Sequence, residues 1–95
     1  MTGSERSSSG LDARRRKLLF RSWHRGMREM DLILGSFADA SIDALTDAQL
    51  DQYEKLLDIS DTVLLPLATG EQPIPSGDEY EILQTIVAFR HTVKF

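Results

Sequence analysis

The residues best suited to recognise a charged partner lie within the nonapeptide WHRGMREMD, in the first third of the chain. Arg25 and Arg28 supply cations, Glu29 and Asp31 supply carboxylates, and all four surround a single glycine, Gly26. Arginine and carboxylate groups form strong, directional charge-assisted hydrogen bonds, and glycine permits a turn or the close approach of another backbone. The spacing therefore predicts a recognition edge more than a packing core.

The rest of the sequence offers no self-sufficient catalytic set. It has no cysteine, which excludes a disulfide, a thiolate zinc site and a cysteine nucleophile. Its two histidines, His24 and His91, are too few and too separated for a metal site. No serine lies in a GxSxG elbow, and no glycine-rich phosphate loop is present. We expect no catalytic residue, no metal site and no enzyme, with His24 as a solvated neighbour of the turn or a proton-bearing contact.

Charge divides the chain at the same nonapeptide. Residues 1–28 carry a net charge of +6 and residues 29–95 a net charge of −10. No apolar run approaches the ~20 residues of a membrane span, so we expect no stable membrane insertion. Residues 1–10 are rich in serine and glycine and are predicted to be a disordered tail, which leaves residues 11–95 as a single helical-bundle domain. We expect a cytoplasmic protein, or a mitochondrial matrix protein in a eukaryote.

Hydrophobic periodicity predicts an all-α fold, a small bundle of four to five helices. Leu11, Leu18 and Trp23 approximate one face of the first helix, residues 11–22, with Leu19 and Phe20 beside them. The second helix follows Gly26 and ends before a loop over residues 39–45. Its apolar stripe is Met27, Met30, Leu34 and Phe37, widened by Ile33 and Ala38, and Gly35 is predicted to be a close contact between helices.

Local signals place the remaining helices. Thr46 and Gln49 have the spacing of a capping box at the start of the third helix. Asp61 is predicted to cap a short fourth helix through residue 68, with either a kink at Pro66 or a single helical turn that starts late. Residues 70–77 form an extended linker. A second capping-box spacing at residues 76–79 begins the last helix.

Two groups of charged residues are predicted to lie on the surface, and the basic group has competing interpretations. The basic face of the first helix is either a solvated surface, a surface that steers an acidic partner, or a nucleic-acid contact; its members are Arg14, Arg15, Arg16, Lys17 and Arg21. The acidic residues are predicted to be a solvated face, with an i,i+4 pair between Asp51 and Lys55; they are Asp43, Asp47, Asp51, Glu54 and Asp58.

The motif Arg25-Gly26-x-x-Glu29, extended through Met27, Met30 and Asp31 into an apolar helix, resembles the signature of the flavinylation (FAD assembly) factors of succinate dehydrogenase. These are small all-helical proteins, and the resemblance covers residues 11–90. One departure lies in the fourth helix, where the family usually carries aromatic residues. This chain has Val63, Leu64, Leu65 and Leu67 there instead.

The resemblance implies a partner and a role. Such factors bind the flavoprotein subunit of succinate dehydrogenase, and in bacteria that of fumarate reductase, and promote covalent attachment of FAD to a histidine of that subunit. It implies that FAD is attached to the partner rather than bound stably here, and we expect the free factor to be a monomer. Arg25 is expected to contact the partner, Gly26 to allow close approach, and Glu29 either to contact the partner or to orient Arg25. The residues assigned to partner binding are Arg25, Gly26, Met27, Arg28, Glu29, Met30 and Asp31.

The alternative is a small adaptor that binds nucleic acid or protein through the basic residues 14–28. Apart from Phe20 and Trp23 this stretch lacks interleaved aromatic residues, and the strongly acidic remainder would repel phosphates. A membrane-surface helix over residues 11–23 is disfavoured because a small core needs its apolar face. We therefore expect no nucleic-acid partner.

Overall fold

Five helices form the part of the chain that the structure describes. The structure is a computed structural model. It describes residues 10–92, and residues 91 and 92 by their backbone alone. No strand occurs among these residues, which confirms the predicted all-α fold. The predicted tail falls outside the described residues except for its last position. The helices are α1 (Ala13–Trp23), α2 (Arg28–Ser41), α3 (Asp47–Leu57), α4 (Asp61–Ala68) and α5 (Asp78–Thr92).

One hydrophobic core joins all five helices. The predicted stripe of α2 is confirmed, since Met30, Leu34 and Phe37 are fully buried. The one buried polar residue among those described is Ser22, whose hydroxyl donates to the Leu18 carbonyl at 2.7 Å and lies 2.6 Å from the hydroxyl of Tyr53. The other large, fully buried side chains are Leu18, Ile42, Leu50, Leu56, Leu64, Leu83 and Ile86.

Capping side chains fix the starts of three helices. Asp12 accepts a hydrogen bond from the Arg15 N–H and so starts α1. The predicted capping box of α3 is present in both directions. The cap of α4 is Ser60 rather than the predicted Asp61, because the Asp61 carboxylate is engaged elsewhere.

One prediction about helix length was wrong. Helix α2 runs to Ser41 rather than ending before residue 39, because Ala38 and Ile42 are both fully buried and extend its apolar face. Helix α4 runs from Asp61 to Ala68, where it was predicted to end, with Pro66 inside it. Proline has no N–H, so the Thr62 carbonyl, four residues earlier, receives no hydrogen bond from Pro66. Thr62 is exposed in the first turn of α4, where water can donate in place of the missing N–H.

The predicted solvated faces are in part paired with each other. Arg14 of α1 donates to Asp51 at 2.6 Å and to Glu54 at 2.7 Å, and Arg21 donates to Asp58 at 2.8 Å. The predicted Asp51–Lys55 pair was therefore wrong, since Asp51 faces α1.

Arg15 is also occupied, because it donates to the carbonyls of Ile42 and Leu45 beyond the end of α2. Of the predicted basic face, Arg16 and Lys17 remain exposed, and their side chains form no hydrogen bond or ion pair with any described residue. The interpretation as a solvated face therefore holds for Arg16 and Lys17, and not for Arg14, Arg15 and Arg21.

Candidate functional site

The turn between α1 and α2 depends on a glycine backbone. Gly26 has φ +92°, in the left-handed region that side chains disfavour. No atom of the described chain would lie within 4 Å of a Cβ at this position. Glycine is therefore needed for its backbone angle, and its outer face is open to a partner.

Asp31 closes this turn from within the first turn of α2. Its carboxylate accepts the backbone N–H of Arg25 at 2.6 Å, while its own N–H donates to the Met27 carbonyl at 2.9 Å. Met27, the residue before the helix, makes no capping bond with its side chain. Asp31 thus fixes the path of the turn, and its charge is favourable near the positive end of the helix dipole.

The Arg25 guanidinium is bound within the protein. It donates to the Asp61 carboxylate at 2.8 Å, to the Ile59 carbonyl at 2.7 Å and to the Leu57 carbonyl. The side chains of Arg25 and Asp61 are 10% and 14% exposed. Because Leu57 ends α3 and Asp61 begins α4, Arg25 joins the α1–α2 turn to the corner between these helices.

This geometry gives Arg25 a role within the fold that the sequence analysis did not predict, and its contact with a partner stays a prediction. Its donors are directed at three acceptors of its own chain, so it acts first as an anchor for the turn rather than as a free charged contact. The expectation that Glu29 orients Arg25 does not match the structure either, because the guanidinium is held by Asp61 and two carbonyls instead.

Two neighbouring residues remain available to a partner. Arg28 and Glu29 are exposed, and neither has a hydrogen bond or an ion pair to any residue that the structure describes. Met30, in contrast, is fully buried, so it belongs to the core and not to a contact surface, and Met27 is half-buried against that core. Of the seven predicted site residues, the exposed set is Gly26, Arg28 and Glu29.

An exposed aromatic pair lies just before the turn. Phe20, predicted beside the apolar face of α1, is instead 62% exposed. Its ring stacks on that of His24, with centroids 3.8 Å apart and planes 16° apart, and the His24 Nδ1 lies 2.7 Å from the Phe20 carbonyl oxygen. Of the two interpretations of His24, the solvated neighbour of the turn fits this exposed position.

Sequence reasoning missed the residues that hold Arg25. Asp61 is 36 positions away in the chain, and the Leu57 and Ile59 carbonyls belong to the backbone. No spacing rule connects such distant groups. The one signal in the sequence was Asp61 itself. Because the preceding Ser60 can cap α4, Asp61 is not needed as the cap and has another role.

Residues 10–92 contain no group of three or more histidine, cysteine, aspartate or glutamate side chains placed to hold a metal ion. None of the helices in this range is long and apolar enough to cross a membrane.

Comparison with known proteins gives one family. The family model described as "Flavinator of succinate dehydrogenase" matches residues 16–90. The FAD assembly factor SdhE of Acetobacter pasteurianus is 36% identical over 89 residues, which cover 88% of this chain and 82% of that protein.

Mitochondrial proteins named succinate dehydrogenase assembly factor 2 also match. The one from Dictyostelium discoideum is 38% identical over 82% of this chain, and the one from Danio rerio is 32% identical over 90% of it. The chain spans 55% of the length of each of these two relatives. No solved structure matches the chain. The resemblance seen in the motif is thus confirmed, and the chain belongs to the family of flavinators of succinate dehydrogenase.

Proposed function

We propose that this protein binds the flavoprotein subunit of succinate dehydrogenase and promotes covalent attachment of FAD to it. The observation that carries this proposal is the surface formed by Gly26, Arg28 and Glu29. It combines an open glycine with one unpaired charge of each sign, beside a turn that Arg25 and Asp31 hold in place. The names of the relatives supply the kind of partner.

The proposed role is binding rather than catalysis. The attachment chemistry belongs to the flavin and the flavoprotein. A factor that binds one conformation of the flavoprotein more tightly than the others increases the population of that conformation. If the flavin and the accepting histidine are aligned in it, their reaction is accelerated by orientation alone. The buried anchors of the turn support this role, because a rigid surface loses little entropy on binding.

The proposal also covers the flavoproteins that the factor serves, its oligomeric state and its compartment. FAD is the group attached to the partner, and the factor itself binds none stably. The flavoprotein subunit of fumarate reductase is a second client. The free factor is a monomer that acts in the cytoplasm, or in the mitochondrial matrix of a eukaryote. The stacked pair of Phe20 and His24 provides additional contact area next to the turn.

The proposal is tested by measuring the affinity for the purified flavoprotein subunit by calorimetry. Glu29→Gln keeps the shape of the side chain and removes its charge, so we expect the affinity to fall about tenfold. The melting temperature should stay unchanged, because Glu29 has no partner within the described chain.

A matched control is Glu71→Gln, at an exposed position between α4 and α5. It removes the same charge and is expected to bind like the wild type. Failure of the wild-type protein to bind the flavoprotein subunit would contradict the proposal.

A further inference from the structure

A second feature of the surface lies beside Glu29. A pocket of about 110 Å³ opens between α2, α4 and α5. Its walls are largely aliphatic, and charged side chains occur on α2 and α5. Its lining consists of Glu29, Leu32, Ile33, Leu65, Thr69 and Arg90.

Arg90 has an unused donor at this pocket. Its Nε is buried and has no hydrogen-bond partner, and its guanidinium forms no ion pair with any described residue. A buried donor without an acceptor destabilises the fold, and such groups are rare in folded proteins. Glu29 lines the same pocket but does not pair with Arg90. The pocket is thus lined by one guanidinium and one carboxylate, neither of which is paired with a described residue.

The size of the pocket limits what enters it. An apolar cavity of about 150 Å³ accommodates benzene, so a pocket of about 110 Å³ fits a branched aliphatic side chain better than an aromatic ring. The Arg90 guanidinium and the Glu29 carboxylate lie on different sides of the pocket. They match the C=O and N–H groups, respectively, that a peptide backbone presents on either side of such a side chain.

We propose that this pocket receives one aliphatic side chain of the flavoprotein subunit. In the complex, a carbonyl or carboxylate oxygen of the same partner segment accepts from the Arg90 guanidinium, and an N–H of that segment donates to Glu29. This inference rests on the proposed function and deepens it. It extends the contact surface from the turn along α2 to the junction of α2, α4 and α5.

Filling the pocket tests the aliphatic contact. Thr69 is exposed at the end of α4 in an ordinary helical conformation, so Thr69→Phe places a ring at the pocket without replacing a buried residue. We expect the affinity for the purified flavoprotein subunit to fall at least tenfold. Thr85→Phe, on an exposed position of α5 outside the pocket, is the matched control and should bind like the wild type.

Changing Arg90 tests the hydrogen bond. Arg90→Lys keeps the charge but removes the guanidinium, and Arg90→Gln removes both. We expect each to weaken binding about tenfold, because the partner's acceptor loses its donor. Arg16→Gln removes one charge from an exposed arginine of α1 and should leave the affinity unchanged. Melting temperatures of all variants are measured in parallel.

The outcomes separate this inference from the proposed function. If the wild type does not bind the flavoprotein subunit, both are overturned. If it binds and both Thr69→Phe and Arg90→Lys bind equally well, the pocket proposal alone is overturned. It is also overturned if Thr69→Phe lowers self-association measured by sedimentation equilibrium and leaves flavoprotein binding intact, because the occupant is then a second copy.

Discussion

Arg25 donates in three directions from one planar guanidinium, which a lysine cannot reproduce. Its acceptors are the end of α3, the following loop and the start of α4. An arginine in the recognition motif therefore maintains the surface by holding the fold beneath it. Loss of function in Arg25 variants would reflect this anchoring as well as any contact with a partner.

The first prediction concerns this anchor. Arg25→Met leaves the Asp61 carboxylate buried without its partner, and breaking a buried pair in this way costs about 3 kcal/mol. For a domain of this size that corresponds to a melting temperature lower by roughly 10–20 °C. Thermal unfolding followed by circular dichroism measures it. Arg28→Met, at an exposed arginine with no partner in the described chain, should melt with the wild type, and equal melting of Arg25→Met would contradict the anchoring role.

The second prediction concerns alkaline pH. Burial raises the pKa of Tyr53 above its ordinary value, against a smaller opposing effect of its hydrogen bond to Ser22. The fold therefore favours the neutral phenol, and its stabilisation is complete below the unfolded pKa of about 10 and is lost as the pH rises above it. By pH 11 the wild type should lose about 1.4 kcal/mol more stability than Tyr53→Phe.

Urea unfolding at pH 7 and at pH 11 measures this difference. At pH 7 Tyr53→Phe should be less stable by about 1 kcal/mol, because the buried hydroxyl and its contacts with Ser22 and the Leu34 carbonyl are lost. A constant stability difference between the two proteins at both pH values would show that Tyr53 does not titrate with unfolding.

At the scale of elements, α1 and α2 pack through a glycine and the single tryptophan. A Cβ at Gly35 would overlap the indole ring of Trp23. The ring is 6% exposed and its Nε1 donates to Asp39 at 3.1 Å, so it has little freedom to move away.

The third prediction follows from this contact. Gly35→Ala gains about 1 kcal/mol of helix propensity, but forcing an extra methyl into a packed contact costs roughly 1–3 kcal/mol. We expect a net loss of about 1 kcal/mol and a changed emission maximum of Trp23. Urea unfolding with tryptophan fluorescence reports both quantities. A variant more stable than the wild type would show that the interface is looser than described.

Features encoded within a few residues could be predicted at this scale. The capping box of α3, the stripe of α2, the turn at Gly26 and the contact at Gly35 each depend on neighbours in the sequence or on a steric requirement. The arginine pairs could not be predicted, because Arg14, Arg21 and Arg25 each find an acceptor more than 30 residues away. Periodicity identifies a helix face but not the helix that will cover it.

At the scale of the whole molecule, ion pairs within the fold neutralise part of the charge asymmetry of the sequence. Arg14 and Arg21 of the basic helix pair with acidic residues of α3. Most of this basic helix is therefore unavailable to phosphates, and the structure gives no support to the nucleic-acid alternative. The charges left unpaired at the turn and the pocket are the ones we assign to a partner.

The central claim is that the Gly26 surface promotes covalent flavin attachment. The most direct measurement is in-gel flavin fluorescence of the denatured flavoprotein subunit, produced with and without this protein. Denaturation removes non-covalent FAD, so the band reports the covalent bond. Gly26→Arg places a bulky cation on the proposed surface. Gly10→Arg is the matched control, since Gly10 has a similar φ of +89° and similarly open surroundings.

We predict a strong band with the wild type and with Gly10→Arg, and a weak band with Gly26→Arg and without the factor. Both substitutions place a side chain at positive φ, which costs roughly 1–2 kcal/mol, so unfolding must be checked for each variant by circular dichroism. Bands of equal strength in all four samples, with every variant folded, would contradict the account.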